Sequence, residues 1–468
     1  MTDNSWSILF SKENRAKTGA LAGGLGIHAI NIYLVTTILP SVVDDIGGME
    51  FYSWNSTLFV LTSILGSFLS VRLLNKFGPR KAFQYSIVVF ILGTLACTFA
   101  PSMSMMLIGR TAQGFGGGLL MALSYSMVRV VFDKAVWPRA MALLSGIWGI
   151  AALSGPFIGG IFAQLNVWRM AFGAIVLFSI VLFFLITKIF PQRHEFAKAN
   201  TKIPFLKLGM LSIAILCLSF GSLTPNLLYN ILGLLLSLIF ILIVVRLERN
   251  SVNRLLPHGA YSLRSTLGVV YSAMALLILC TNPEIYIPYF FQEIHQYPPL
   301  KAGYLTVIIS LGWTAASIRY AGANRKHIYN IVRSGPICML SGMLMLAFLL
   351  PSTFGENTLG FILTCAGLAL TGIGIGLGWP HLLSLVLSSA KPGDEDQAST
   401  SITSIQLIAT AFGTALAGII TNLAGINDPG GLEGAKSAAF WLFILFAISP
   451  LLCFVIISKR LKKSSIDS

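Results

Sequence analysis

The sequence predicts an all-α integral membrane protein, and three observations support this. Hydrophobic residues make up 55% of the 468 residues and charged residues only 10%, whereas a soluble domain carries roughly 25% charged residues. The mean hydropathy is +0.79. Apolar runs of about 20 residues, the length that crosses a bilayer as a helix, follow one another almost end to end. No stretch is left for a large soluble domain, so we expect a polytopic protein.

Fourteen apolar runs are predicted to span the membrane as helices. They lie near residues 17–43, 52–74, 82–100, 104–131, 139–163, 167–187, 205–222, 227–246, 266–291, 302–319, 334–351, 358–388, 398–423 and 438–458. Cytoplasmic loops of membrane proteins carry an excess of lysine and arginine. When basic residues at the ends of spans are counted with the adjoining loop, 28 of the 32 face the cytoplasm, Arg110 alone lies well inside a span, and Arg169, Lys301 and Lys436 lie on the outer side. Both termini are therefore expected to be cytoplasmic.

The longest polar segments, near 188–204 and 247–265, divide the predicted spans into groups of six, two and six. We therefore predict an N-terminal half over residues 1–187, a central insertion over 188–265 and a C-terminal half over 266–468. The two central spans are rich in leucine and isoleucine, with a few polar residues toward the outer end only. They are interpreted as an insertion at the rim and not as the lining of a pathway.

Several classes of function are not supported by the sequence. The six cysteines fall inside apolar runs without paired or metal-ligand spacing, so neither a disulfide framework nor a metal site is predicted, and no cofactor is expected. The net charge of +15 comes from the loops between spans, which argues against nucleic acid as a partner. A G-x-x-x-x-G-K-[ST] phosphate loop is missing, so direct use of ATP is not predicted. We do not expect an enzyme.

Small residues recur every three or four positions in the fifth predicted span, at Gly149, Ala152, Gly155 and Gly159. This spacing gives one helix face almost without side chains, which a neighbouring backbone can approach. Pro156 removes a backbone donor on the same turn, so a bend is expected there. Ordinary close packing explains the pattern equally well.

Two further motifs accompany this one. The fourth span contains Arg110-Thr-Ala-Gln113-Gly114-Phe-Gly116-Gly117-Gly118, and Trp168-Arg169 opens the sixth. Together with Gly155-Pro156 and Gly159-Gly160, where Ala151 stands in place of a leading glycine, these motifs resemble those of the major facilitator superfamily. Within it, the chain is similar to the fourteen-helix branch of drug:proton antiporters. The resemblance covers nearly the whole length.

The resemblance implies the major facilitator fold, with two six-helix halves and two extra central helices. It further implies a monomeric secondary transporter in a bacterial inner (plasma) membrane, which exports a small organic compound in exchange for protons. A different class of function, a membrane receptor without transport activity on the same scaffold, stays open.

The loop after the second span is a degraded copy of the superfamily's first cytoplasmic motif. Val71 and Asn75 stand where the family has glycine and aspartate. The turn and the positive charge are kept by Lys76, Gly78, Arg80 and Lys81. Because the family's aspartate anchors a charge contact that gates the inner side, we expect that contact to be weaker or differently made. Alternatively, Arg80 and Lys81 serve only to orient the chain in the membrane.

The carboxylates that relatives use for protons and cationic drugs are also missing. Asn31 in the first span occupies a segment where many relatives have an aspartate, and it cannot titrate. The span near 398–423 has polar residues but no carboxylate, although relatives often place one there.

Four ionisable residues lie within the predicted spans, and such residues are functional candidates because they are costly to bury. They are His28, Arg110, Glu284 and His381. With three basic or imidazole groups against one carboxylate, the set favours an anionic, zwitterionic or neutral substrate, such as a siderophore, over a quaternary amine. The direction of transport stays open.

Each candidate also has a simpler structural interpretation. His28 lies one turn before Asn31 and is either a proton carrier or a neutral, hydrogen-bonded core residue. His381 follows a glycine-rich stretch and Pro380, where a helix can thin and flex, and either lines a cavity or caps a packed turn. Glu284 follows Pro283 in a segment that the superfamily commonly breaks; it exchanges protons there, or it lies solvated near the outer mouth.

Overall fold

The computed structural model describes residues 6–133, 136–190, 204–223, 226–249, 251, 255–320, 322–352, 357–389 and 395–461. Within these ranges the chain forms fifteen α-helices and no β-strand. The first five are α1 (Arg15–Ile46), α2 (Tyr52–Thr98), α3 (Met103–Val131), α4 (Trp137–Gln164) and α5 (Trp168–Ile189). The next five are α6 (Phe205–Gly221), α7 (Leu227–Arg249), α8 (Thr266–Thr281), α9 (Ile287–Glu293) and α10 (Pro299–Tyr320). The last five are α11 (Arg325–Leu349), α12 (Thr358–Ser389), α13 (Glu395–Leu423), α14 (Gly431–Phe446) and α15 (Ile448–Arg460).

The helices form two compact units. The first comprises Met1–Gly48 and Leu58–Ile203, and the second comprises Met49–Thr57 and Pro204–Ser468. The two predicted central spans, α6 and α7, belong to the second unit, and the central insertion over 188–265 stays a prediction. The start of α2 is also grouped with the second unit, while the rest of α2 belongs to the first.

In the first unit, α1 packs against α3, α4 and α5. The range α2 consists of two helical arms, one for each of two predicted spans, which meet at a kink at the non-helical residue Gly78, with φ +74° and ψ 171°. A positive φ of this kind strains residues with a side chain but not glycine, so Gly78 permits the sharp reversal. The predicted turn in the cytoplasmic motif is thus concentrated at one residue, with Pro79 directly after it.

In the second unit, α12 packs against α10 and α11, while α13 packs against α6, α8 and α14. A small apolar cluster of Leu218, Ala415 and Ile419 joins α6 to α13. At one end of this contact, the Asn422 side-chain amide donates a hydrogen bond to the Ser222 carbonyl. This packing explains why the central pair is part of the second unit.

At the other end of the central pair, Lys207 of α6 and Glu248 of α7 form a buried ion pair. The second carboxylate oxygen of Glu248 accepts hydrogen bonds from the backbone N–H of Leu255 at 2.8 Å and from the Tyr261 hydroxyl at 3.2 Å. Burial, with the neighbouring Glu248 carboxylate, raises the pKa of Tyr261 and keeps its hydroxyl protonated as a donor. Glu248 therefore fastens the segment that leads into α8.

Ten segments of the described chain are long and apolar enough to cross a membrane. One of them, Met49–Thr98, contains two predicted spans joined at the Gly78 reversal, and α6 has only 17 residues. A polytopic, all-helical membrane protein is thereby confirmed, whereas the number fourteen stays a prediction. Helix α5 shows one lipid-facing side, because Leu177, Val181 and Phe184 are each at least 58% exposed.

Candidate functional site

A buried polar cluster occupies the middle of the first unit, and Arg110 of α3 lies at its centre. The Arg110 side chain is 1% exposed, and its Nη1 donates to Gln113 Oε1 at 2.8 Å and to Asn31 Oδ1 at 3.3 Å. Its guanidinium carbon lies 4.2 Å from the centre of the Phe59 ring. Gln113 in turn donates to the Thr94 hydroxyl at 3.0 Å. The structure thus brings three predicted site residues, Asn31, Arg110 and Gln113, into one hydrogen-bonded network.

The glycines of α3 allow this network to form, because both arms of α2 and helix α1 approach the helix closely. A methyl group added to Gly116 would lie 2.6 Å from Phe90 N on the second arm of α2. One added to Gly117 would lie 2.7 Å from His28 Nδ1. On the first arm, a methyl group on Gly114 would overlap the Phe59 carbonyl. The sequence motif that follows Arg110 is therefore a packing device that surrounds the arginine.

His28 lies beside this network and also contacts Phe59. Its ring stacks on Phe59 with centroids 5.2 Å apart and meets Trp148 edge-on at 6.1 Å. His28 is fully buried, and among the described residues neither ring nitrogen has a hydrogen-bond partner. His28 is a core residue, but the interpretation that it is hydrogen-bonded there is wrong. Aromatic contacts hold its ring instead.

Arg110 is enclosed on all sides in this structure. Its burial and its hydrogen bonds to Asn31 and Gln113 make it part of the core of the first unit. The expectation of an anionic or zwitterionic substrate, which counted Arg110 as a positive group facing the substrate, stays a prediction.

The antiporter motif of α4 packs against α1. A methyl group on Gly155 would lie 2.5 Å from Tyr33 Cβ and 2.9 Å from Leu34 N, and one on Gly159 would lie 2.9 Å from Leu34 O. The close backbone approach predicted for these two glycines is present. Gly149 is different, because no atom lies within 4 Å of an added methyl group there. Helix α4 continues through Pro156, and Gly160 is buried.

In the cytoplasmic motif, Arg80 has a structural role beyond its charge. Its Nε donates to the carbonyl of Phe190 at 2.7 Å, directly after the end of α5. The interpretation of Arg80 as a topology signal alone is therefore wrong. Lys81 and Asn75 are exposed, and Lys76 lies 5.1 Å from the centre of the neighbouring Phe77 ring.

Trp168-Arg169, at the start of α5, holds the end of α1. Trp168 Nε1 donates to Asp45 Oδ2 at 3.2 Å, and Arg169 forms an ion pair with the same carboxylate. Arg169 also donates to the carbonyl of Ala100 at 3.0 Å. Asp45 was missed from the sequence, where only the Trp-Arg pair was recognised.

Glu284 lies in the second unit, in a short 3₁₀ helix, Asn282–Tyr286, that separates α8 from α9. The broken helix predicted for this segment is therefore confirmed. The Glu284 side chain is half-buried, and among the described residues nothing forms a hydrogen bond or an ion pair with it.

His381 is buried in α12, which continues through Pro380. Within the described chain, Nε2 of His381 has no hydrogen-bond partner. Glycines in the run before it form a packing surface against α10 and α11. A methyl group on Gly374 would lie 2.5 Å from the Gly335 carbonyl of α11, and one on Gly376 would lie 2.9 Å from Ala316 Cβ of α10.

No cluster of three or more metal-ligating side chains exists among the described residues. All six cysteines are described and none forms a disulfide. Cys97, Cys280 and Cys453 are buried, as predicted for small core residues, whereas Cys217, Cys338 and Cys365 are half-buried.

Comparison with known proteins gives consistent results. The family model described as Major Facilitator Superfamily matches residues 21–418. A "Probable multidrug-efflux transporter" of Mycobacterium tuberculosis is 32% identical over 456 residues, which cover 95% of this chain and 94% of the relative. The multidrug efflux pump SdrM of Staphylococcus aureus is 24% identical and covers 73% of this chain and 76% of its own.

Solved structures share the fold at low sequence identity. A POT family transporter in complex with 5-aminolevulinic acid superposes with a TM-score of 0.68 at 13% identity, covering 95% of this chain and 97% of its own. A D-xylose-proton symporter gives a TM-score of 0.66 at 13% identity, with 97% and 99% covered. These similarities concern the arrangement of helices alone.

Proposed function

This chain belongs to the major facilitator superfamily, and we propose that within it the protein exports small, drug-like organic compounds in exchange for protons. The observation that carries the proposal is the match to a multidrug-efflux relative along almost the full length of both chains. The antiporter motif supports it, because Gly155 and Gly159 are in backbone contact with α1. A non-transporting receptor would have no need for a titratable group in a broken helix.

The proposed architecture has fourteen membrane crossings in the order six, two and six. The fifteen helices agree with this number when α2 is counted twice, once on each side of Gly78, and when α8 with α9 and α14 with α15 each count once. We place both termini in the cytoplasm, because 28 of the 32 basic residues then face that side. The proposed location is a bacterial inner membrane, and the proposed state is a monomer.

Glu284 is the proposed proton carrier. It is half-buried in a helix break, so it is protected from bulk water without being enclosed by the core. His28 is less suitable, since it is fully buried against the ring that also receives the Arg110 guanidinium. Placing a second positive charge there would be costly. Carboxylates in membrane interiors commonly mark proton relays.

The test uses purified protein in proteoliposomes and two fluorescent probes, norfloxacin as a zwitterion and ethidium as a cation. An imposed pH gradient should drive uphill accumulation of at least one probe, and adding that probe should change the internal pH. Glu284→Gln should abolish both effects while leaving probe exchange at equal pH intact. The substitution is nearly isosteric, so folding is expected to be preserved.

Three results would contradict the proposal. Failure to transport either probe would argue against multidrug export and favour the receptor interpretation. Transport without any pH change in the unmutated protein would indicate a uniporter. Proton flux that is unchanged in Glu284→Gln would remove Glu284 as the carrier, and His28→Asn then tests the remaining candidate.

A further inference from the structure

The helix break that carries Glu284 is held by a neighbouring side chain, Asn282. Helix α8 ends at Thr281, and the backbone N–H of Asn282 bonds to the Leu279 carbonyl, three residues back, instead of to Ile278. The Asn282 side-chain amide then donates to the Ile278 carbonyl at 2.9 Å and to Leu279 O at 3.2 Å. The Asn282 side chain therefore makes the hydrogen bond to the Ile278 carbonyl that the Asn282 backbone N–H does not make.

This replacement matters because two prolines, one inside the break and one just after it, remove donors. Pro283 follows Asn282 directly and Pro288 lies in the first turn of α9, and neither has a backbone N–H. Inside a membrane, carbonyls freed in this way must be satisfied within the protein. The Ile278 carbonyl also accepts from the Thr281 hydroxyl at 2.7 Å. Two side chains thus stabilise the end of α8 at the break.

Gly413 of α13 provides the space that the Asn282 side chain occupies. A methyl group on Gly413 would overlap the Asn282 amide, and it would lie 3.0 Å from Asn282 Cβ. Asn282 is 5% exposed. A side chain of any size at position 413 would therefore push Asn282 away from the Ile278 carbonyl.

A third contact fixes the far end of the same turn. The Tyr52 hydroxyl donates to the Ile285 carbonyl at 3.3 Å, and the Tyr52 ring stacks on Tyr286 with centroids 4.8 Å apart. The turn is thus held on one side of Glu284 by Asn282 and on the other by Tyr52. Glu284 itself makes no side-chain bond within the described residues, so its carboxylate position depends on these backbone contacts.

We propose that Asn282, seated against Gly413, is a positioning residue for proton coupling, because it fixes the helix break that places the Glu284 carboxylate. The proposal rests on the proposed role of Glu284. The chemical step is a reversible protonation, in which a carboxylate takes a proton from one side of the membrane and returns it on the other. Asn282 takes no part in the transfer.

Other titratable groups lie on the elements packed against this turn. They are Tyr271 and Cys280 on α8, Tyr286 in the turn, Tyr289 and Glu293 on α9, Glu433 and Lys436 in the first turns of α14, Glu395 and Asp396 at the start of α13, and Tyr52 at the start of α2. Between 398 and 423, α13 has no carboxylate or basic residue. Among the described side chains, Glu284 is therefore the carboxylate whose titration the turn controls.

The experiment is a double-mutant cycle with Asn282→Ala, Gly413→Ala and the double variant. Each is reconstituted in proteoliposomes with whichever of norfloxacin and ethidium the unmutated protein transports. We expect each single variant to reduce probe-driven proton flux about tenfold or more, as small displacements of a reacting group do. The pH at which flux is half-maximal should move, while probe exchange at equal pH should continue.

The double variant gives the sharpest result. Once Asn282 is alanine, the methyl group at position 413 meets no amide, so Gly413→Ala should add nothing to the effect of Asn282→Ala. Gly209→Ala on α6 is the matched control, because no atom lies within 4 Å of its added methyl group. It should behave as the unmutated protein.

The proposal is overturned if the single variants keep the unmutated pH profile, or if they lose equal-pH exchange together with proton flux. The first result would mean that Asn282 does not position Glu284, and the second that it only maintains the fold. These failures differ from failure of the proposed function, in which Glu284→Gln itself retains coupled flux. Additive effects in the double variant would show that Asn282 and Gly413 act separately.

Discussion

The guanidinium of Arg110 lies over the ring of Phe59, with its central carbon 4.2 Å from the ring centroid. The same ring stacks on His28 at 5.2 Å. A planar cation that rests on an aromatic face while it bonds to two amide oxygens uses its shape as well as its charge. The first unit is therefore built around an arginine whose geometry is specified on several sides.

We predict that Arg110→Lys loses most transport activity. An ammonium group does not stack on Phe59 as a planar guanidinium does, so the contact between the cation and the ring is lost. Loss of a desolvated cation–π contact alone costs about 2 kcal/mol. The measurement is the initial rate of probe export, normalised to the amount of inserted protein.

The matched control is Arg319→Lys, because Arg319 is exposed and lies 5.5 Å from the ring of Tyr320. It should transport normally. If Arg110→Lys also transports normally, the arginine serves only as a buried charge.

Gly155→Leu is expected to give a protein that inserts in the membrane but does not transport. Even one methyl group at this position would lie 2.5 Å from Tyr33 Cβ, so leucine must force α4 away from α1. Gly149→Leu on the same helix should be tolerated, since its added side chain begins in open space. Expression, measured by size-exclusion chromatography in detergent, separates loss of folding from loss of transport. Equal activity of the two variants would show that the motif has no specific packing role.

Most of the helices and the individual residues of the polar cluster were predicted from the sequence, for a simple physical reason. Apolar length and basic loops report directly on membrane crossing, and costly groups such as Arg110 are visible wherever they occur in an apolar run. Arg110 and Gln113 belong to the same motif of the fourth predicted span, and Asn31 lies in the first, so all three were recognised from the sequence before their contact was known. The break in α2 at Gly78 also agrees with the turn predicted there, because only glycine accepts these backbone angles without strain.

Contacts between distant segments were not predictable in this way. Glu248 and Lys207 are 41 positions apart and no sequence pattern links them, yet α6 and α7 bring them into a buried pair. Asn282 and Gly413 show no shared pattern in the sequence, since their contact depends on how α13 passes the end of α8. His28 was interpreted as either a proton carrier or a hydrogen-bonded core residue, and periodicity does not reveal that its neighbours are aromatic.

Glu248→Ala should strongly destabilise the protein. It leaves the buried Lys207 ammonium without its carboxylate and removes the acceptor for Leu255 N and Tyr261. Breaking a buried pair from one side costs about 3–5 kcal/mol. We expect a lower midpoint of thermal unfolding in detergent, measured by intrinsic fluorescence.

Asp45→Ala is the comparison variant, because the Asp45–Arg169 pair is 47% and 39% exposed. An exposed pair contributes about 0–1 kcal/mol, so the midpoint should fall much less. Equal losses in the two variants would mean that burial of the Lys207–Glu248 pair is not what stabilises the central helices.

The last prediction concerns the two central helices, on which the number of crossings depends. We choose Lys188 before α6, Asn226 between α6 and α7, and Arg264 after α7, because all three side chains are exposed. Each is replaced by cysteine, one at a time, in a background in which the six native cysteines are serine or alanine. If α6 and α7 both cross the membrane, a membrane-impermeant maleimide added to intact cells should label only Asn226→Cys. Lys188→Cys and Arg264→Cys should react only after the membrane is permeabilised.

The length of α6, 17 residues, lies at the lower limit for a crossing helix, so this is the span that the labelling tests most directly. Labelling of Lys188→Cys and Arg264→Cys from opposite sides would show that one of the pair does not cross. The C-terminal half would then be inverted, and the distribution of basic residues that supports fourteen crossings would need another explanation.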